Sequence, residues 1–233
     1  MSASEGVVKL EQVAKVYRQD SVAVNALAGI DLEIRKGDFA VLVGPSGSGK
    51  TTLLNLIGGL DSPTEGRVWV DGTEIGRLTK AERSEVRLRK IGFVFQEFNL
   101  IPVLSAVENV EFVMLLQGVP AEARRARAAA LLADLGLEGL EQRRPSELSG
   151  GQQQRVAVAR AIAAEPAIVL PDEPTANLDS KAGAALMDLM RRLNEERGVT
   201  FVFSTHDPMV VERARRVIRL KDGAIESDES RSA

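Results

Sequence analysis

The sequence predicts an α/β fold with a mixed, mainly parallel sheet, an antiparallel β subdomain and an inserted helical lobe. Three observations predict it. First, Gly44-Pro45-Ser46-Gly47-Ser48-Gly49-Lys50-Thr51 fits G-x-x-x-x-G-K-[ST], with the apolar run Phe39-Ala40-Val41-Leu42-Val43 before it and a helical run over 52–57 after it. That strand–loop–helix context is what the motif needs, and it predicts a core of the P-loop NTPase type. Second, residues 7–35 alternate apolar and polar through Val8, Leu10, Leu27, Ile30, Leu32 and Ile34, the pattern of half-exposed antiparallel strands. Third, helical patterns over 106–117 and 120–135 break the strand–helix alternation. Residues 97–145 therefore read as a helical lobe set between core segments 7–96 and 146–226 of a single domain.

Composition narrows the function. The chain has 233 residues, 44% of them hydrophobic, enough to bury a core. A formal net charge of -3 gives no sign of nucleic-acid binding. Cysteine is absent, which removes disulfides and thiolate metal sites, and a single His removes multi-His sites. Residues 1–6 lack a basic region followed by an apolar one, so no signal peptide is expected. No apolar run reaches the length of about 18 residues that a membrane span needs. The expectation is a soluble, cytoplasmic protein unless a partner holds it elsewhere.

Taken in order, the elements carry their own chemistry. Tyr17, the only Tyr, lies among the first strands and could stack on a purine or simply pack. In the phosphate loop, glycines let the backbone curl round an anion, and successive N–H groups and the helix start point at it. Lys50 can reach β- and γ-phosphates, and the Thr51 hydroxyl can ligate Mg²⁺. Gly58-Gly59 ends the helix. Arg67-Val68-Trp69-Val70 and Asp71-Gly72 read as a strand and tight turn, with Trp69 expected in the core. Residues 80–90 form a charged helix with a solvated face. The buried strand over 91–95 ends at Gln96, a polar residue at a strand's carboxyl end and so a site candidate. Arg124, Arg125 and Arg127 read as a solvated helix face, with a patch for acidic lipid or a partner as the alternative.

The second half repeats the phosphate theme. Ser149 is a good N-cap, and Gly150-Gly151 after it make a second anion site at a helix start. One domain with two phosphate sites suggests nucleotide shared between two copies. Ala167-Ile168-Val169-Leu170-Pro171-Asp172-Glu173 is an apolar strand delivering two carboxylates, the Walker B arrangement. Asp172 can hold Mg²⁺ and Glu173 can accept a proton from the attacking water. Residues 176–180, with Asp179, cap a helix over 181–197. The buried strand over 199–204 places the only His, His206, at its carboxyl end. A hairpin pairs 215–220 with 224–227 around Asp222-Gly223, and the polar tail 227–233 is expected to be disordered.

Together these motifs resemble the nucleotide-binding subunit of ATP-binding cassette (ABC) transporters over roughly residues 7–226. Leu148-Ser149-Gly150-Gly151-Gln152 is decisive, because other P-loop ATPases lack it. The resemblance implies ATP and Mg²⁺ as cofactors and ATP hydrolysis as the activity. It makes Tyr17 the aromatic on adenine, and Gly44, Pro45, Ser46, Gly47, Ser48, Gly49, Lys50, Thr51 and Thr52 the phosphate loop. It makes Gln96 the residue that senses Mg²⁺ and attacking water and abuts the membrane partner. Ser149, Gly150 and Gly151 would grip the partner subunit's γ-phosphate, and Asp179 would be a dimer contact. Asp172 becomes the Mg²⁺ acid, Glu173 the catalytic base and His206 the switch on the γ-phosphate. The implied partners are a second copy, head to tail, and an integral-membrane permease on a separate chain, which would hold the protein on the inner face of the cell membrane.

One residue departs from that pattern. Pro171 stands where a small non-proline residue is usual; it gives no ladder donor and restricts Leu170, so the pose of Glu173 turns on it. Residues 91–102 and 106–110 look like the branch of macrolide exporters and lipoprotein-release ATPases, which pass force through the membrane. A cell-division cassette, signalling through a transmembrane partner, shares every motif and is the alternative. Soluble cassette ATPases acting on DNA or ribosomes carry tandem cassettes, long coiled coils or zinc inserts, which this chain lacks.

Overall fold

Two kinds of strand pattern sort the chain into two sheets. The computed structural model describes residues 6–19 and 22–231. Residues 1–5, on which the absence of a signal peptide was argued, and 232–233 of the tail lie outside them. The elements are β1 (Gly6–Gln19), β2 (Val22–Arg35), β3 (Phe39–Val43), α1 (Lys50–Ile57), β4 (Glu65–Val70), β5 (Thr73–Glu74), α2 (Lys80–Lys90), β6 (Ile91–Val94), α3 (Ala106–Leu116), α4 (Ala121–Asp134), α5 (Gly150–Ala163), β7 (Ile168–Pro171), α6 (Ser180–Arg197), β8 (Phe201–Ser204), α7 (Pro208–Arg213), β9 (Arg216–Lys221) and β10 (Ala224–Ser230).

The alternating segments form an antiparallel sheet ordered β2-β1-β4-β5. The continuous apolar runs β3, β6, β7 and β8 join the C-terminal hairpin in the second sheet, β10-β9-β3-β8-β7-β6, parallel from β9 through β6 with β10 antiparallel at its edge. Both faces of this sheet are covered, so β3, β7 and β8 are buried along their whole length. Side chains that alternate along β3 serve two cores. Phe39 and Val41 face a cluster with Phe201, Phe203 and the apolar residues of α3, α5 and α6. Ala40 and Leu42 face the other, where α1 is held between this sheet and Ile30, Val68 and Val70 of the antiparallel one. Among the described residues no helix is long and apolar enough to cross a membrane.

Two expectations change. Trp69 is half-exposed rather than in the core. Strand period two sends its neighbours Val68 and Val70 inward, so Trp69 points out, with Lys9 Nζ 5.7 Å and the Arg67 guanidinium 5.0 Å from its ring centroid. The tail expected to be disordered is strand through Ser230. Its Asp228 accepts from Arg216 Nε at 2.8 Å and Nη2 at 2.6 Å, which fixes polar residues at the sheet edge without any apolar burial. The arginines of α4 lie on a helix face that is solvated at Arg125, as expected, and each is also paired: Arg125 with Glu111 of α3 at 2.7 Å, Arg124 with the same carboxylate at 3.8 Å, and Arg127 with Glu165 at 2.6 Å, which ties α4 to its neighbours.

Pro171 is accommodated at the end of β7. Val169 donates to Thr200 O, just before β8, at 2.9 Å, Glu173 donates to Ser204 O on β8 at 2.8 Å, and Asp172 donates to Val94 O of β6 at 2.9 Å. The proline forgoes the one donor between these bonds, and the ladder resumes on both sides of it at the two acids.

Phe39 sits edge-on to Phe203, centroids 4.8 Å apart, at the centre of one core. Phe203→Ala is expected to cost about 3–5 kcal/mol and lower the melting temperature by roughly 10 °C, measured by denaturant and thermal unfolding.

Candidate functional site

The glycine loop between β3 and α1 has its shape forced by contact. At Gly44, φ +155°, a side chain would place Cβ 2.2 Å from Leu220 O; at Gly49, φ +100°, it would lie 2.6 Å from Ala26 O. Only glycine lets the loop lie this close to the backbone of β9 and β2. Gly49 caps α1 with no side-chain hydrogen bond, and the first turn holds no acid. Among the described α-helices α1 alone starts this way. Thr79, Ser105, Ser149, Asp179 and Asp207 cap α2, α3, α5, α6 and α7, and α4 has Glu122 in its first turn. The leading N–H groups of α1 and its positive dipole end are left for an anion. Ser48 Oγ, buried within this loop, has no hydrogen-bond partner. These are the features a phosphate-bearing ligand fits. Lys50 folds back over the loop and donates to Gly44 O at 2.8 Å and Pro45 O at 3.0 Å.

Asp172 and Glu173 arrive at this loop from β7. Burial raises the Asp172 pKa above its ordinary value; a Ser204 hydrogen bond and the Lys50 charge pull it down, and the Glu173 charge adds to the rise. Glu173 has φ +47°, an uncommon conformation for a residue with a side chain. Its two oxygens are both engaged. Thr205 Oγ1 donates to Oε2 at 2.8 Å, and His206 Nδ1 lies 2.7 Å from Oε1, within hydrogen-bond distance. His206 and Gly44 line one small cavity with Val211 and Arg219. Tyr17 is half in solvent. Its phenol donates to Asp61 at 2.9 Å and lies in hydrogen-bonding reach of Thr52, while Lys15 Nζ sits 4.8 Å from the ring centroid. Desolvation and Asp61 push the phenol up, so it stays a neutral donor.

The other candidates have partners outside this loop. Gln96 is exposed, two residues past the end of β6, with its carbonyl accepting from Asn177 Nδ2 at 3.0 Å. Ser149 closes a capping box with Gln152 at 3.3 and 2.8 Å. Gly150 and Gly151 lie against Phe98, Asn177, Leu178 and Ala182, none of them in the phosphate loop. Asp179 caps α6 through Ala182 N at 2.8 Å. Sequence reasoning missed Thr205, Asp61 and Gln154. The signal for Gln154 was there, a polar residue at a core position of α5; it is fully buried and donates to Pro174 O at 2.8 Å and Phe95 O at 3.3 Å. A cleft of about 900 Å³ at the opposite end of the strands, by Lys90 and Ala167, is no rival. Its Lys90, Arg127 and Arg197 are already paired with Asp71, Glu165 and Asp134.

Among the described residues no three His, Cys, Asp or Glu side chains cluster to hold a metal by themselves. Thr51 and Asp172 offer hard oxygen donors beside a phosphate-binding loop, the set that suits magnesium, which keeps waters and phosphate oxygens in its shell. An anion-binding loop with such a donor pair is the arrangement of a P-loop nucleotide-binding protein. The ABC transporter family pattern matches residues 27–176. The chain belongs to the ABC transporter family; it binds ATP with magnesium and hydrolyses it. It is 48% identical over 224 residues to a macrolide export ATP-binding/permease protein of Syntrophobacter fumaroxidans, covering 95% of this chain but 31% of that protein. It is 47% identical over 221 residues to a lipoprotein-releasing system ATP-binding protein of Rhodopseudomonas palustris, covering 94% of this chain and 98% of that one. An ATP-binding cassette of Methanocaldococcus jannaschii, solved as a dimer in a post-hydrolysis state bound to ADP and Pi, superposes with a TM-score of 0.87 at 47% identity, over 97% of this chain and 99% of that chain.

The raised Asp172 pKa has a sign. A carboxyl whose folded pKa lies above its unfolded value adds stability below the unfolded pKa and loses it as pH rises through the folded one. Ionised Asp172 is therefore a burden on the metal-free fold at neutral pH. Asp172→Asn is expected to raise the melting temperature at about pH 7 in chelator, the gain vanishing towards about pH 4, read by thermal melts across that range.

Proposed function

We propose that this chain is the motor subunit of a transporter, that two copies close head to tail on two nucleotides, and that a membrane permease on a separate polypeptide holds them at the inner face of the membrane. The observation that carries this reading is the uncapped start of α1 behind the glycine loop, with Asp172, Glu173 and His206 brought to the same place. In this reading Lys50 gives up its two carbonyls for phosphate oxygens, and Tyr17 offers its ring to adenine. Thr51, Asp172 and Gln96 would hold magnesium, which neutralises charge on the phosphates. Glu173 takes the proton from the attacking water, its oxygens already oriented by Thr205 and His206.

Ser149, Gly150 and Gly151 would meet the γ-phosphate bound by the other copy, with Asp179 at the contact between copies. Their neighbours lie away from their own phosphate loop, which fits a surface meant for a second molecule. The Ser149 oxygen accepts the cap bond, and its proton remains to donate. Closure follows from differential affinity, because a nucleotide touching both copies favours the closed pair. Support for the pair comes from the dimeric M. jannaschii cassette.

Support for the permease comes from the two bacterial relatives, one named as joined to a permease and one as an ATP-binding protein of a release system. Val103 and, on α3, Phe112, Leu115 and Leu116 are exposed apolar side chains in the 97–145 lobe, beyond Gln96 in sequence, suited to a membrane partner. Export, lipoprotein release or transmission of force are the transport classes these relatives favour.

Glu173→Gln is expected to keep binding but lower hydrolysis by about 100-fold or more, and to run as a dimer in size exclusion with Mg-ATP. Hydrolysis at the unaltered rate would remove Glu173 from its role. Lys50→Ala is expected to abolish binding of labelled ATP; undiminished affinity would overturn the assignment of the loop.

A further inference from the structure

The loop that carries Gln96 is held by α5. Between Phe95 and Asn99 every backbone carbonyl is engaged. Gln154 Nε2 donates to Phe95 O at 3.3 Å, Asn177 Nδ2 to Gln96 O at 3.0 Å, and Asn99 N to Glu97 O at 2.5 Å. Arg160 takes the last two, with Nη2 on Phe98 O at 3.0 Å and Nη1 on Asn99 O at 2.5 Å. Phe98 and Asn99 have φ +59° and +47°, two successive left-handed residues with side chains. Left-handed backbone at a phenylalanine is unfavourable and persists only where its surroundings hold it. No carboxylate pairs with Arg160 among the described residues, and burial lowers its guanidinium pKa from the ordinary value. A half-buried cation whose fork is spent on two carbonyls of the strained pair is in place to hold that pair.

We propose that Arg160 is a positioning residue for ATP hydrolysis: it locks the left-handed turn at Phe98–Asn99 and thereby fixes Gln96, two residues upstream, relative to α5. The Phe98 ring lies against Gly150 at the start of that helix, 3.6 Å from where a Cβ would stand. The helix whose first turn is Gly150-Gly151-Gln152 thus sets the loop through Gln154 near its start and Arg160 near its end. A lysine in place of Arg160 keeps the charge but has a single nitrogen, so it cannot reproduce the two separate donors, Nη1 and Nη2, that the planar guanidinium sets on the two carbonyls. The inference rests on the reading of Gln96 as the residue that serves magnesium and the attacking water.

The test measures steady-state ATP hydrolysis and magnesium dependence for the full chain and its variants. Arg160→Lys is expected to lower kcat roughly tenfold with KM for ATP within about twofold, and to raise the magnesium concentration for half-maximal rate. Its melting temperature should match the parent within about 3 °C. In a Gln96→Ala background the same substitution should have no further effect, because the group it positions is gone. Arg160→Gln, which keeps one donor group, carries the same expectations should the lysine variant not fold. Unchanged kcat, or a loss that persists in the Gln96→Ala background, overturns the proposal. Gln96→Ala alone separates the two readings. Intact hydrolysis there removes the role of Gln96, whereas a loss there with none in Arg160→Lys removes only the role of Arg160.

Discussion

The first turn of α1 is a set of hydrogen-bond donors that the chain itself leaves open. Five of the other six described α-helices close their starts with a side chain, and the remaining one places an acid there. Burying two glycines against the carbonyls of Leu220 and Ala26 fixes the loop so that those donors stay aimed outward. Lys50 currently satisfies itself on two loop carbonyls, a cheap arrangement to exchange for phosphate. Binding of a polyanion therefore completes interactions that folding left incomplete.

Next to that positive end the fold places an acid that burial makes reluctant to ionise. Asp172 and Glu173 are adjacent in sequence yet held differently. Asp172 is desolvated, with Ser204 as partner; Glu173 has both oxygens taken up by Thr205 and His206. The left-handed backbone at Glu173 turns its carboxylate away from the direction a continuing strand would give it. Two neighbouring carboxylates thus acquire separate environments, one set by burial and one by two side-chain partners.

The antiparallel sheet and the helices make different contributions to this place. β1 brings Tyr17 to Thr52, and Asp61 fixes the phenol. The segment from α3 to α5 adds nothing to the phosphate loop; its contacts run instead to the backbone of residues 95–99 and to 174–182. α5 and that loop are thus tied together, since three of the five carbonyls there answer to side chains of one helix.

Much of this was legible in the residue string because it depends on local chemistry. The glycine loop, the cap at Ser149, the strand ending in Asp172-Glu173 and the His after β8 each announce themselves by residue type and spacing. Apolar runs against alternating ones told the two sheets apart, since burial on two faces or one is written in every second residue. What the string could not give depends on register and on long-range partners. Trp69 faces solvent because Val68 and Val70 claim the inward positions, and the tail becomes strand because Asp228 meets Arg216 across a hairpin. Thr205 on Glu173, and Arg160 on two carbonyls about sixty residues earlier, arise only when the chain is closed. Sequence alone marked the candidate phosphate-binding groups; tertiary structure decided which groups hold them still, because a hydrogen bond's partner is set by the packing of distant elements.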